Sequence, residues 1–278
     1  MFGKYFTFNG HSSEEFDLMM GGFDYTENVN LALSRNIYKG SFTKVRKIPN
    51  FMGAEYNDVL TFDISVVKDV CKYPGQEEMI FTEDEVDAIT AWLTEPEYPT
   101  LFHMYDYEPI VNHQFDYFAV VSDVTPQTVG GDVMGFNISF ITNSPYAWTN
   151  LITREFVNSG ENIYTINVSN SERRGMIFPK ITITPTITGT VGYVEVAIGN
   201  SRDNASMEMQ ILKDTTTVDC QRGMVSTEAG LMHLDEMGLD DVDNIYWFRL
   251  YNGENNITIS GDATFVIEYR EPRKVGAY

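Results

Sequence analysis

Residues 136–148 read FNISFITNSPYAW, a strand pattern followed at once by the signs of a domain boundary. Apolar and polar side chains alternate over the first five positions, which is typical of a strand with one face on a core and one in water. Ser144-Pro145 then gives a turn signal. The sequence therefore predicts two domains, an N-terminal domain over residues 1–147 and a C-terminal domain over residues 148–278.

A single helix is predicted upstream of this junction. Thr82 and Glu85 fit the N-cap and N3 positions of a capping box, and the acidic first turn suits the positive end of a helix dipole. Apolar residues follow on one face, at Val86, Ile89, Trp92 and Leu93. Pro96 ends the pattern. We expect this amphipathic helix to pack across a sheet.

The rest of the chain reads mainly as short strands. In the N-terminal domain, residues 59–66 alternate after the first position. We class this domain as α+β, a β-sandwich or split barrel with one helix. In the C-terminal domain, segments rich in Ile, Val, Thr and Tyr are separated by turn residues, at positions 163–168, 177–184, 191–198, 206–212, 216–220, 245–251, 256–260 and 263–270. This spacing predicts a mainly β chain that ends in a β-sandwich or barrel.

Composition excludes several classes of protein. The 278 residues include 40 acidic and 19 basic side chains, a formal charge of −21, which argues against a protein that grips nucleic acid phosphates. No apolar run reaches the roughly 18 residues of a membrane helix, and the first residues lack the pattern of a secretory signal. The two cysteines, Cys71 and Cys220, cannot form a disulfide framework, and we expect two reduced, mostly buried thiols made in a cytoplasm.

No cluster of residues predicts a catalytic or metal site. His103 and His113 lie near Asp106 and Asp116, so a metal or acid–base cluster is one interpretation, and isolated histidines are the more common case. The acidic run over residues 235–243 lacks the glycine and glutamate of an EF-hand loop, so we prefer a solvated loop to calcium binding. Motifs for a nucleophile elbow or a phosphate-binding loop are absent. We therefore predict no catalytic residue, no cofactor and no metal.

One basic segment stands out in this acidic chain. Between Asn28 and Ala54 there is no acidic residue, while five cations occur, at Arg35, Lys39, Lys44, Arg46 and Lys47. Such a segment could dock onto an acidic neighbouring subunit as part of a subunit interface. A flexible, solvated loop is the equally favoured alternative.

Short motifs in the N-terminal half follow one another in a recognisable order. They are an aromatic opening strand, a helix that ends in Trp-Leu, an apolar-x-x-x-x-Asp segment, and a strand that runs into Pro-Tyr. In this sequence they correspond to Phe8, Asn9, Gly10, Trp92, Leu93, Asp106, Pro145 and Tyr146. This order resembles the distal tail protein family of long, flexible-tailed bacteriophages.

The C-terminal half extends the resemblance over nearly the whole chain. Val157-Asn158-Ser159-Gly160 followed by residues 178–183 resembles the start of the family's galectin-like β-sandwich domain. Residues 266–270 resemble its closing strand. One departure is the basic loop around residues 39–48, which lacks the Pro-Gly-Arg type of motif often found there.

The resemblance implies a structural virion protein of the tail tip with no enzymatic activity. Members of the family form a ring, usually a hexamer, that joins the tail tube to the tip or baseplate and lets DNA pass without specific binding. Their C-terminal domains point outward and can carry receptor-binding proteins. The alternative is a carbohydrate-binding module for host glycans, although the galectin sugar cluster cannot be placed here and only Trp247 lies in a strand-like run. A β-sandwich hydrolase is a distant third hypothesis.

Overall fold

The chain forms two compact units in a computed structural model. They comprise Met1–Trp148 with Lys274–Tyr278, and Thr149–Arg273. The structure describes residues 4–21, 29–32, 35–39, 51–56, 59–75, 77–105, 115–169, 175–186, 193–211, 214–234, 239 and 245–274. Among these residues, no helix is long and apolar enough to cross a membrane. Both units are built from antiparallel strands, and one α-helix is described, so the prediction of a mainly β chain with two domains and one helix is confirmed.

In the described part of the first unit, the chain forms eleven strands and one α-helix. The strands are β1 (Tyr5–Phe8), β2 (His11–Ser12), β3 (Leu18–Met20), β4 (Val29–Ala32), β5 (Arg35–Lys39), β6 (Phe51–Tyr56), β7 (Thr61–Lys68), β8 (Thr100–Tyr105), β9 (Asp116–Val129), β10 (Asp132–Thr142) and β11 (Ala147–Trp148). The helix α1 spans Glu83–Thr94, and 3-10 helices span Ser13–Phe16 and Glu77–Met79.

The main sheet of this unit curls on itself. Its strand order is β2-β1-β8-β9-β10-β7-β3, and β4 pairs with the same strand β7. The backbone N–H of Met20 donates to the carbonyl of Lys4 at 2.8 Å, which brings the β3 end of the sheet to β1. Inside lies an aromatic core in which Phe140 packs 4.8 Å from Phe102 and 5.1 Å from Phe62, measured between ring centroids. Such aromatic pairs add about 1 kcal/mol each beyond the area that they bury.

Helix α1 closes this core. Its N-cap Thr82 accepts a hydrogen bond from the Glu85 backbone, and the Glu85 side chain accepts one from the Thr82 backbone, so the predicted capping box is confirmed. The helix buries Ile89, Trp92 and Leu93 against the sheet. The helix continues only to Thr94, as predicted from the proline that follows.

Thirteen strands are described in the second unit. They are β12 (Ile152–Asn158), β13 (Glu161–Val168), β14 (Met176–Ile177), β15 (Lys180–Pro185), β16 (Val194–Asn200), β17 (Ala205–Ile211), β18 (Thr216–Asp219), β19 (Met224–Thr227), β20 (Gly230–Leu231), β21 (Leu250–Tyr251), β22 (Gly253–Ser260), β23 (Ala263–Tyr269) and β24 (Pro272–Arg273).

Two sheets of the second unit form a sandwich. Their orders are β12-β23-β15-β18-β19-β20 and β13-β22-β16-β17. One core lies between them, because buried residues of both sheets belong to a single apolar cluster, for example Ile181 and Phe265 from the first sheet and Ile198, Met207 and Ile257 from the second. The inward positions alternate with outward polar ones, as period-two strands require.

Two local predictions are wrong. A strand was predicted over residues 245–251, but only Leu250–Tyr251 is in a strand. Before this strand, the side chains of Tyr246 and Arg249 donate hydrogen bonds to a buried carboxylate, as described below. Cys71 is exposed and Cys220 is buried, because Cys71 lies in a turn after β7, whereas Cys220 lies two positions after the buried Val218 and on the same inward side.

Candidate interaction surfaces

The first hairpin is built on Asn9 and Gly10. Strands β1 and β2 pair with Phe8 opposite His11, which leaves a two-residue turn. Asn9 has a φ of 50° and Gly10 a φ of 78°, the pair of positive angles that a type I′ turn needs and that Asn-Gly adopts readily. Asn-Gly is a recognised hairpin signal, so this turn could have been found from the sequence.

Trp92 attaches helix α1 to this hairpin. Its indole Nε1–H donates to the carbonyl of Phe8 at 3.1 Å in a buried position. Its ring stacks on Phe16 with 4.3 Å between centroids and 7° between planes. Leu93 is fully buried beside it. Phe8, Trp92 and Leu93 are therefore held in the core, where they position the hairpin rather than offer a binding surface.

The remaining residues of the family pattern have different surroundings. Pro145 and Tyr146 are half-buried in the turn after β10, where the Tyr146 N–H donates to Ser144 Oγ at 3.2 Å. Ala147 is fully buried directly after them. Asp106 lies outside the described residues.

The predicted basic segment begins on a separate hairpin. Arg35 and Lys39 lie in β5, which pairs with β6 in a two-stranded sheet of its own. The ammonium of Lys39 is exposed and forms no hydrogen bond or ion pair among the described residues. Two large apolar side chains are exposed on the same hairpin, Tyr38 at 46% and Met52 at 74%. Lys44, Arg46 and Lys47 lie outside the described residues.

The outer face of β7, β9 and β10 is a polar ladder. Ser139 Oγ donates to Asp63 Oδ1 at 2.6 Å. Ser65 Oγ and Gln127 Nε2 both donate to Asn137 Oδ1, each at 2.7 Å. These side chains point away from the core because they occupy the alternate positions of paired strands. We call this surface the polar ladder.

The second unit contains a buried carboxylate that sequence analysis missed. Asp203 lies in the turn after β16, with its side chain 7% exposed. Arg249 donates from Nε to Oδ2 at 3.1 Å and from Nη2 to Oδ1 at 3.2 Å, and Tyr246 OH donates to Oδ2 at 2.7 Å. Tyr251 OH donates to Oδ1. More than forty residues separate the partners, so no local pattern could reveal them.

The charge of Asp203 is stabilised by these donors. Burial alone raises the pKa of the carboxyl group, but the hydrogen bonds from Arg249, Tyr251 and Tyr246 outweigh it and leave the pKa below its ordinary value. The same contact raises the pKa of Arg249 through its hydrogen bond to Asp203. These hydrogen bonds are made within the cluster. They attach the turn after β16 to the segment before β21, and they do not form a binding surface.

Two histidines are paired with carboxylates. His103 Nδ1 lies 2.8 Å from Asp116 Oδ1, and the two residues face each other on β8 and β9. His11 Nδ1 lies 2.8 Å from Glu15 Oε2. The interpretation of His103 as an isolated histidine is thus wrong, while His113 lies outside the described residues. No group of three or more potential metal ligands occurs among the residues that the structure describes.

The outer face of the four-stranded sheet is mostly polar, but it also carries Ile163, which lies opposite Thr258 and is 70% exposed. Its strands place Thr165, Asn256, Thr258 and Glu208 outward, with the small residues Ala197 and Gly199 between the flanking strands. Trp247 is partly buried against the core, not displayed on this face.

Both parts of the chain match known families of phage tail domains. Residues 1–144 match a family model described as a phage tail protein N-terminal domain, and residues 146–269 match one described as a phage tail C-terminal domain. No curated protein matches the chain by sequence.

Solved structures share the fold at low sequence identity. The Dit protein of phage SPP1, described as a paradigm of the hub adsorption apparatus in phages that infect Gram-positive bacteria, has a TM-score of 0.62 and 9% identity over 97% of this chain and 98% of that chain. A chain of the phage P2 baseplate, in its activated conformation with Ca, has a TM-score of 0.50 and 11% identity over 89% of this chain and 92% of that one. The expected resemblance to the distal tail protein family is thus confirmed in the fold. Because the two family models together match residues 1–144 and 146–269, the chain belongs to a family of phage tail proteins.

Proposed function

We propose that this phage tail protein is the distal tail hub, a structural ring that joins the tail tube to the tail tip. Its N-terminal domains form the ring from six copies, and its C-terminal sandwiches point outward. The observation that carries the proposal is the extent of the shared fold, since both domains correspond to the SPP1 hub protein over 97% of this chain. A part of the virion tail that works by fitting its neighbours needs no catalytic residue, and none is assigned.

The polar ladder supports passage of DNA through such a ring. Strands β7, β9 and β10 contain one basic residue, Lys68, whose ammonium is buried and bonds to Glu85 Oε2 at 3.0 Å. The outward positions that form the polar ladder instead carry a carboxylate, hydroxyls and amides, and Ile141 is exposed at the end of the same face of β10. The wall of a channel with this chemistry forms no ion pairs with phosphate, so DNA passes through it without binding. We therefore propose the polar ladder as the wall of the lumen.

Partners follow from the same role. The tail tube protein and a tail tip protein contact the two faces of the ring, and receptor-binding proteins attach to the C-terminal domains. The basic segment at Arg35, Lys39, Lys44, Arg46 and Lys47 contributes to contacts between subunits. Its exposed apolar neighbours Tyr38 and Met52 supply the buried area that charged residues alone do not.

Size-exclusion chromatography with light scattering tests the proposal. We expect a mass of six times the 31.6 kDa of one chain, and a six-fold ring in negative-stain images. Assembly is repeated with the tail tube protein, which supplies a missing template if the chain alone stays monomeric. A monomer under both conditions contradicts the proposed hub.

Sugar binding is the second candidate function. The hydroxyl and amide groups on the outer face of the four-stranded sheet favour it, since sugars are recognised through such groups. The outward positions of these strands carry no aromatic residue for stacking. A glycan array with the whole protein tests the alternative, and binding that is lost on Asn256→Ala would support it.

A further inference from the structure

A cyclic ring requires two different surfaces on each subunit. Head-to-tail contacts are heterologous, so a patch on one copy must complement another patch on the next. The N-terminal unit offers one candidate of each charge. The strands of the β5–β6 hairpin carry two basic residues, Arg35 and Lys39, against one acid, Glu55, and the outer face of helix α1 is acidic.

The outer face of α1 combines acidic and small apolar residues. Asp84, Asp87, Ala88, Ala91 and Glu95 are all exposed and fall at helical spacing on one side, opposite the buried face. The carboxylates of Asp84 and Asp87 have no hydrogen bond or ion pair among the described residues. The alanines leave a shallow apolar strip between acids, which suits a large side chain with a cation beside it.

The last turn of α1 lacks the charge that its dipole favours. A cation near a helix C-terminus is stabilising, but this turn has no basic residue and is followed by Glu95 and Glu97. Tyr98 is 76% exposed and extends this surface beyond the helix. A positive group from another molecule would offset both the dipole and the acidic side chains.

The hairpin has matching chemistry. Its Lys39 ammonium is exposed without a partner among the described residues, and Tyr38 and Met52 expose large apolar surfaces beside it. By contrast, Lys68 and Lys72 of the same unit are already paired, with Glu85 and Asp17. Unpaired positive charge thus lies on the hairpin, and unpaired negative charge lies on the outer face of the helix.

We propose that the β5–β6 hairpin of one copy docks on the outer face of α1 of the next copy, with Lys39 against the acidic residues and Tyr38 and Met52 over the alanines. This contact rests on the proposed ring and specifies which surfaces close it. Opposite charges both strengthen the contact and fix its direction around the ring.

Charge reversal separates this contact from others. One variant carries Arg35→Glu and Lys39→Glu, and a second carries Asp84→Lys and Asp87→Lys. Each alone sets like charges against each other, so we expect at least a tenfold rise in the concentration needed for ring formation. A matched control, Glu161→Lys with Glu208→Lys on exposed positions of the second unit, changes the charge by the same amount as the helix variant and should assemble like the unaltered protein.

An equimolar mixture of the two variants is the decisive arm. The acidic hairpin of the hairpin variant fits the basic helix of the helix variant. The helix variant keeps its basic hairpin, which fits the acidic helix of the hairpin variant. An even-numbered ring can therefore close with the two variants in alternation. Recovery of the ring in the mixture supports the contact. Ring formation by either variant alone at the unaltered concentration, or a mixture that stays dissociated, overturns it while leaving the hub proposal intact.

Zero-length carbodiimide crosslinking keeps the contact testable if the unaltered chain does not close a ring. Equal amounts of ¹⁵N-labelled and unlabelled protein are crosslinked at high concentration, and mixed-label peptides report contacts between copies. We expect amide links from Lys39 to Asp84 or Asp87. Intermolecular links elsewhere without these, or no intermolecular link at all, overturn the docking. Failure of the unaltered chain to form a ring, taken by itself, contradicts the proposed hub and not the docking contact.

Discussion

Single residues in this protein act mainly by satisfying buried polar groups. Trp92 is an example, because its indole N–H bonds to the Phe8 carbonyl while its ring stacks on Phe16. The burial of Trp92 could be predicted from the helix pattern. Its partner could not, since the two residues are 84 positions apart and meet only when β1 and α1 close the core.

Replacement of Trp92 by Phe tests this hydrogen bond. The variant keeps a ring for stacking but leaves the buried Phe8 carbonyl without its donor, which costs about 1–3 kcal/mol of unfolding free energy. Denaturant unfolding followed by circular dichroism measures it. Val129→Ala, an exposed change in the same unit, should stay within about 0.5 kcal/mol. Equal stability of W92F and the unaltered protein would contradict the assignment.

Asp203 predicts a pH dependence of stability. Its pKa is lower in the folded state than in the unfolded one, so its contribution is fully present above the unfolded pKa of about 3.9 and is lost as the pH falls through the folded value. We expect Asp203→Asn to destabilise the protein by about 2 kcal/mol at pH 7. The difference from the unaltered protein should shrink as the pH approaches 3. A difference that stays constant down to pH 3 would show that charge is not the cause.

The two thiols should differ in reactivity. Burial raises the pKa of Cys220 to about 12, with the charge of Asp219 adding to the effect, so its thiolate is rare at pH 8. Cys71 is exposed. Titration with a thiol reagent should therefore detect one group in the native protein and two in denaturant. Cys71→Ser should remove the fast group, and a native titre of two would contradict the burial of Cys220.

Elements are set by local signals where caps, turns and alternation agree. The helix α1 with its capping box and strands β7 and β10 were predicted closely for this reason. The segment before β21 was predicted as a strand because it alternates, but Tyr246 and Arg249 turn to Asp203 instead of a neighbouring strand. Tertiary hydrogen bonds to a charged group outweighed a weak local preference there.

Glycine substitutions distinguish strain from crowding at two turns. At Gly10 a Cβ would meet nothing within 4 Å, so Gly10→Ala costs only the positive φ, about 1–2 kcal/mol. At Gly261 a Cβ would lie 2.4 Å from the Glu195 carbonyl oxygen in addition to a φ of 100°, so Gly261→Ala should cost clearly more. Denaturation midpoints of the two variants give the order. The reverse order would contradict the backbone described for these turns.

The whole molecule consists of two units with separate cores. Among the described residues, the apolar cluster of the sandwich is made of residues between Ile152 and Tyr269, and that of the first unit of residues up to Ala147. Each of these cores is drawn from its own stretch of chain, as expected for a domain that folds alone.

A fragment of residues 149–273 should therefore fold by itself. We expect dispersed amide signals in ¹H–¹⁵N spectra and one cooperative thermal transition. A matched fragment that starts at residue 160 removes strand β12, and with it the pairing along β23, so it should unfold at a markedly lower temperature. A disordered spectrum for residues 149–273 would show that the second unit depends on the first.

The amino-acid sequence by itself determined the fold class, the position of the helix, the places where most strands run and the family resemblance, because alternation, capping and turn motifs are written in neighbouring residues. The tertiary structure decided the curling of the first sheet, the attachment of Trp92 to Phe8, the Asp203 cluster and the exposed acidic face of α1. These features join residues that are far apart in the chain. Their energies depend on burial and on distances that exist only once the strands have paired and the cores have closed.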